Sequence, residues 1–170
     1  MAEGKNLVLI GMPGAGKSTV GALVSKALNM PFIDTDILIQ NRENRCLQEL
    51  IKDFGIDGFI RIEESAVRSI NVENHVIATG GSVIYSESAV SHLKENGVLI
   101  FLNARVYQLE RRLKNSQTRG IAIRPGQSLS SLYNERLPLY KKYADVEIDC
   151  SHKHIGTIVS EVAENFFKLS

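Results

Sequence analysis

Short apolar runs alternate with longer amphipathic stretches from one end of the chain to the other. Asn6–Ile10, Pro31–Asp34, His75–Thr79, Val98–Leu102 and Val146–Asp149 are four or five residues long, and most are rich in Val, Ile and Leu. Runs of that length and composition suit strands buried on both faces. Between them, Lys17–Leu28 sets Val20, Leu23, Val24 and Ala27 on one stripe, as an amphipathic helix requires. Ser86–Glu95 opens with Ser and Glu, good first-turn residues, and stops at Asn96-Gly97. Ser128–Tyr143 and His154–Leu169 are two further helical patterns. Repeated strand–helix–strand units predict an α/β fold: a five-stranded parallel sheet, right-handed crossovers and helices on both faces. No internal repeat or linker divides the chain, so residues 1–170 read as one domain.

One stretch breaks the rhythm. Residues 115–127, NSQTRGIAIRPGQ, are polar, carry Arg119 and Arg124, and have glycines at 120 and 126. A loop this long inside a compact domain predicts a mobile lid that delivers arginine to a phosphate.

Composition narrows the field without naming a reaction. A formal net charge of +1 argues against a general nucleic-acid or membrane surface, so any strong field must be local. Cys46 and Cys150 match no metal-ligand spacing and read as thiols in a reducing compartment. No signal-peptide pattern is present, and no apolar stretch approaches the roughly 18 residues of a membrane span. A cytoplasmic protein is expected. His75, His92, His152 and His154 share no ligand spacing, and Tyr133, Tyr140 and Tyr143 read as core packing along one helix.

The chemistry begins directly after the first run. Gly11-x4-Gly16-Lys17-Ser18 fits the phosphate-binding loop with no mismatch, with a strand before it and a helix after it. Glycines let phosphate approach the main-chain N–H groups, which point partial positive charge at the anion together with the helix N-terminus. Lys17 adds a full charge at the β- and γ-phosphates, and the Ser18 hydroxyl can ligate Mg²⁺. Such a turn holds a nucleoside triphosphate with magnesium. The D-x-x-G and N-K-x-D motifs of a GTPase switch are missing, and 170 residues cannot house a mechanical ATPase. A small-molecule kinase fits the size.

The second run ends in Asp34-Thr35-Asp36, at the sheet edge where ligands bind in open α/β folds. One carboxylate can hold a magnesium water while the other accepts a hydrogen bond from an acceptor hydroxyl and helps remove its proton. A plain helix cap is the alternative role for an aspartate there. The third run ends in ATGGSV, where Gly80-Gly81 permits close approach of backbone to a ligand.

Together GMPGAGKST, DTD, ATGGSV, VLIFL, the helix ending in Arg111-Arg112, the lid and ERLPLYKKYAD resemble the shikimate kinase family. These are small ATP-dependent P-loop kinases that phosphorylate one hydroxyl of a cyclic carboxylic acid. The resemblance implies a three-layer P-loop kinase fold with a mobile lid. It implies ATP binding by Gly14, Ala15, Gly16, Lys17, Ser18 and Thr19, with Arg112 against adenine and Asp149-Cys150-Ser151 bordering it. Ser18 would ligate Mg²⁺ directly and Asp34 through water. Asp36 would contact the acceptor hydroxyls, Gly80 or Gly81 would meet the acceptor through the backbone, and Arg136 would grip its carboxylate. Lys17, Asp36 and Arg119 form the implied catalytic set, with Arg119 closing over the transferring phosphate and Arg124 in reserve.

Three departures from the family pattern stand out. GFIRIEE reads two ways: with Phe59 in register, Ile60 takes the place of a second carboxylate-binding arginine and the glutamate is Glu63. With a turn one residue longer, Arg61 and Glu64 restore the pair and Arg61 joins the substrate-binding set. The usual triple glycine is shortened to Gly80-Gly81, and the lid reads Arg119-Gly120-Ile121-Ala122 where Arg-Pro-Leu-Leu is usual. The expected partners are ATP and a small hydroxy acid, with shikimate first, acting on a monomer. A kinase for another polyol or sugar acid, and a non-catalytic ATP sensor, are the alternatives.

Overall fold

The computed structural model describes residues 4–114 and 120–170. Five strands form one parallel sheet in the order β2-β3-β1-β4-β5: β1 (Asn6–Ile10), β2 (Phe32–Asp34), β3 (Val76–Ala78), β4 (Gly97–Asn103) and β5 (Val146–Asp149). Strand β1 lies at the centre, with Leu9 opposite Ala78 on one side and Ile100 on the other. Its residues Leu7–Ile10 and Leu99–Leu102 of β4 are fully buried, as expected of strands covered on both faces. The edges differ. Strand β2 is half-buried throughout and β5 exposes Glu147 and Asp149, because an edge strand has sheet on one side only.

The helices are α1 (Lys17–Leu28), α2 (Thr35–Glu43), α3 (Leu47–Arg68), α4 (Glu87–Glu95), α5 (Val106–Lys114), α6 (Leu129–Tyr143) and α7 (Ile155–Leu169). Helix α1 packs with α7, while α4 packs with α3, giving helical layers on both faces of the sheet. Caps explain the starts. Ser86 Oγ accepts from the Ala89 N–H and Ser128 Oγ from the Ser131 N–H, both at 3.0 Å. The expected helices at 86, 128 and 154 therefore begin one residue later, with those residues as caps.

Helix α3 bends at Gly55, whose φ of 70° and ψ of 178° interrupt the helical backbone. Beyond the bend its inward stripe is Phe59, Glu63, Ala66 and Val67. No described helix is long and apolar enough to cross a membrane.

Candidate active site

Strand β1 delivers the phosphate loop at the central switch point of the sheet, where neighbouring crossovers leave in opposite directions. Gly11, Gly14 and Gly16 adopt φ of 150°, 81° and 97°, conformations that side chains resist. Lys17 opens α1 and is only 8% exposed. Its Nζ donates to the carbonyls of Gly11 at 2.7 Å and Met12 at 2.8 Å, which holds the ammonium over the loop. Ser18 Oγ donates to Asp34 Oδ2 at 2.5 Å. The other oxygen of Asp34 accepts from the Asp36 N–H at 3.0 Å. One carboxylate thus caps α2 and faces the phosphate loop at once.

Asp36, in the first turn of α2, turns the other way. A Cβ on Gly80 would fall 3.0 Å from Asp36 Oδ1 and would run into Glu63 Oε1. Backbone thus passes between two acids, and only glycine fits. A Cβ on Gly81 would meet Pro13 Cδ at 2.8 Å and Arg136 Nη1 at 3.0 Å, so this glycine too is set by crowding.

Glu63 is 1% exposed, and Ser82 Oγ donates to its Oε2 at 2.5 Å. Its Oε1 has no hydrogen-bond partner among the described residues. Burial, opposed by the Ser82 hydrogen bond, raises its pKa to about 7; Asp36 pushes the same way, and Arg136 and Lys17 pull it down. Glu63 therefore sits at the boundary between acid and carboxylate near neutral pH.

Arg136, carried by α6, is fully buried. Its Nη2 donates to the Ala122 carbonyl at 2.7 Å and its Nε to Tyr85 Oη at 3.3 Å. Tyr140, one turn on, donates its hydroxyl to the Gly81 carbonyl at 2.6 Å and stacks on Phe101 with centroids 4.9 Å apart. Lys17, Asp36, Glu63, Gly80, Gly81 and Arg136 converge on one cavity of about 50 Å³, closed on one side by Gly120–Ala122. That segment is pressed tightly home: a Cβ on Gly120 would meet Leu47 Cβ at 2.7 Å.

Two other spaces adjoin this one. A cleft of about 400 Å³ beside the phosphate loop is lined by Gly14–Gly16, Thr19, Arg112, Lys153, Ile155 and Ile158. Arg112 Nη1 donates to the Gly14 carbonyl at 2.9 Å, which fixes it at the loop. Asp149-Cys150-Ser151 does not line this cleft. Cys150 is buried, and the chain reaches the cleft three residues later. Beyond Ala122 lies an outer cavity of about 400 Å³, with Ile60, Arg61, Tyr85, Arg124, Gln127 and Glu135 in its wall.

The two readings of GFIRIEE part here. Phe59 and Glu63, one helical turn apart, face the inner cavity, so the glutamate there is Glu63. Ile60 and Arg61 line the outer cavity instead. A Cβ on Gly58 would lie 3.9 Å from Arg61 Nη2, which places that guanidinium back along α3. Arg61 is thus not brought to Arg136: two positions after Phe59, a helical residue faces roughly the opposite side. Arg119, expected at the transferring phosphate, lies outside the described residues. Glu63, Ser82 and Tyr85 acquire their importance only in the folded chain, although the Phe59–Glu63 spacing signals the inward glutamate.

Among known proteins, residues 13–167 match the family model described as shikimate kinase. A shikimate kinase of Caldanaerobacter subterraneus subsp. tengcongensis is 38% identical over 168 residues, 97% of this chain and 98% of the relative. A solved structure, shikimate kinase from Acinetobacter baumannii in complex with shikimate, superposes with a TM-score of 0.89 at 25% identity, covering 99% of this chain and 96% of that one. Shikimate kinase from Aquifex aeolicus superposes with a TM-score of 0.79 at 30% identity, over 96% and 97% of the two chains.

Proposed function

The chain belongs to the shikimate kinase family, and we propose that it transfers the γ-phosphoryl group of ATP to the 3-hydroxyl of shikimate. One observation carries the reading: a cradle of main-chain amides and Lys17 faces Asp36, Glu63 and the buried Arg136 across a single cavity. The cradle takes the polyphosphate, Arg136 takes the acceptor carboxylate, and the acids take its hydroxyls.

Asp36 orients the attacking hydroxyl and accepts its proton at a carboxylate oxygen. Glu63, poised near pH 7, hydrogen-bonds a further hydroxyl through Oε1. Lys17 exchanges its carbonyl partners for the phosphate oxygens, where charge spreads as the phosphoryl group moves. Arg119 joins it from the lid, and Gly120–Gln127 excludes water from the reacting groups. Arg112 lies against adenine in the neighbouring cleft.

The Ser18 hydroxyl and the Asp34 carboxylate, a hard oxygen pair 2.5 Å apart, suit Mg²⁺ with water completing its shell. Held by these two residues, Mg²⁺ would supply positive charge that offsets the charge of the polyphosphate. The enzyme acts as a cytoplasmic monomer with no nucleic-acid or membrane partner.

Ile60 favours one second reading: with an apolar side chain in the outer wall, a different hydroxy acid would serve as acceptor. A coupled ADP-release assay over cyclic and linear hydroxy acids tests both. Shikimate is expected to give the highest kcat/KM. A higher value for gluconate or another polyol acid would overturn the assignment, and release with no member of the panel would leave an ATP-binding sensor.

A further inference from the structure

The inner cavity, at about 50 Å³, is far below the several hundred Å³ of a typical small-molecule site. Ala122 lines both this cavity and the outer one of about 400 Å³. Its carbonyl also occupies Nη2 of Arg136, the donor that an incoming carboxylate needs. Admitting an acceptor therefore requires Ala122 to withdraw, and its withdrawal joins the two spaces. The joined site has a second guanidinium in its wall, that of Arg124.

Three observations single out Arg124. It stands two residues from Ala122 on the same segment, so it moves with the partition. Its side chain is exposed and forms no ion pair among the described residues. It is also wired to Arg136 by a continuous chain of hydrogen bonds. The Arg124 N–H donates to Gln127 Oε1 at 3.4 Å, Gln127 Nε2 to Glu135 Oε2 at 2.9 Å, Tyr85 Oη to Glu135 Oε1 at 2.5 Å, and Arg136 Nε to Tyr85 Oη at 3.3 Å. Arg61 shares the wall, but its guanidinium lies back over Gly58.

We propose that Arg124 is a specificity-determining residue: it grips the acceptor carboxylate from the loop side while Arg136 holds it from the buried side. With Lys17 committed to the phosphates, Asp36 and, once ionised, Glu63 outnumber the buried guanidinium, and the field around it opposes a further negative charge. A second cation that arrives with the acceptor offsets that field without leaving an unpaired charge in the empty site. Acids would then be selected over neutral polyols of the same shape.

This inference rests on the shikimate reading, and the test separates the two. KM and kcat are measured for shikimate, its methyl ester and ATP, using wild-type protein, Arg124→Ala and Arg124→Lys. Arg124→Ala is expected to raise the KM for shikimate about tenfold to a hundredfold, the worth of one charge-assisted contact. Its kcat should fall less than about threefold, with KM for the ester and for ATP unchanged. Arg124→Lys should recover part of the loss, keeping the charge but not the fork. A shikimate KM within twofold of wild type would overturn the proposal. So would an equal rise for acid and ester, or a loss confined to kcat, which would place Arg124 at the phosphate. Wild-type protein that fails to phosphorylate shikimate would sink the acceptor reading and this inference with it.

Discussion

The phosphate side of the cleft is made mostly of main chain, and the acceptor side mostly of buried side chains. On the first, residues 11–18 follow one strand, take left-handed glycine conformations and hold Lys17 on their own carbonyls. On the second, Asp36 of α2, Glu63 of α3, Gly80-Gly81 after β3 and Arg136 of α6 come from positions up to 100 residues apart. The two sides solve different problems. A polyphosphate carries fixed charge that any nucleoside triphosphate presents, so oriented amides and one ammonium suffice. A small hydroxy acid must be told from its isosteres, which takes buried groups whose hydrogen bonds fail with the wrong partner.

The sharpest way to break that contrast is to remove the ammonium that the phosphate loop itself carries. Lys17→Met should lower kcat about a thousandfold or more while circular dichroism shows the fold intact. Turnover within tenfold of wild type would mean that the Lys17 ammonium is not part of the work.

The acceptor side is tested more gently through Glu63. Its pKa is higher in the folded protein, about 7, than the ordinary 4.5, so the folded state holds the proton more tightly than the unfolded chain. That contribution to stability is full below about pH 4.5 and is lost as pH rises through about 7. Glu63→Gln has nothing to titrate there. Relative to wild type, it should gain about 2–3 kcal/mol of unfolding free energy between pH 5 and pH 8, measured by urea denaturation. Parallel curves for the two proteins would show that Glu63 is not held in the environment described.

The same contrast explains what could be read before folding. GMPGAGKST is local, and its chemistry follows from spacing along one turn. The strand–helix alternation was equally legible, because buried parallel strands and amphipathic helices leave different periods. Asp34 and Asp36 were visible as a pair, and the turn from β2 into α2 between them sends them to different neighbours, Ser18 and Gly80. The acceptor wall was not legible in the same way. Whether Ile60 or Arg61 faces inward depends on helical phase after the bend at Gly55, and periodicity in sequence does not fix that phase. Tyr85 enters only through Arg136 and Glu135, 51 and 50 residues away. Ala122 had no signal at all, since its carbonyl, not its side chain, holds Arg136.

Asp36→Asn tests the central claim most directly, with ATP affinity and phosphoryl transfer measured on the same preparation. The division of the cleft predicts a dissociation constant for ATP within about threefold of wild type, while transfer to shikimate falls at least about a hundredfold. Loss of nucleotide binding with transfer preserved at saturating ATP would contradict it, and would move Asp36 from the acceptor to the metal.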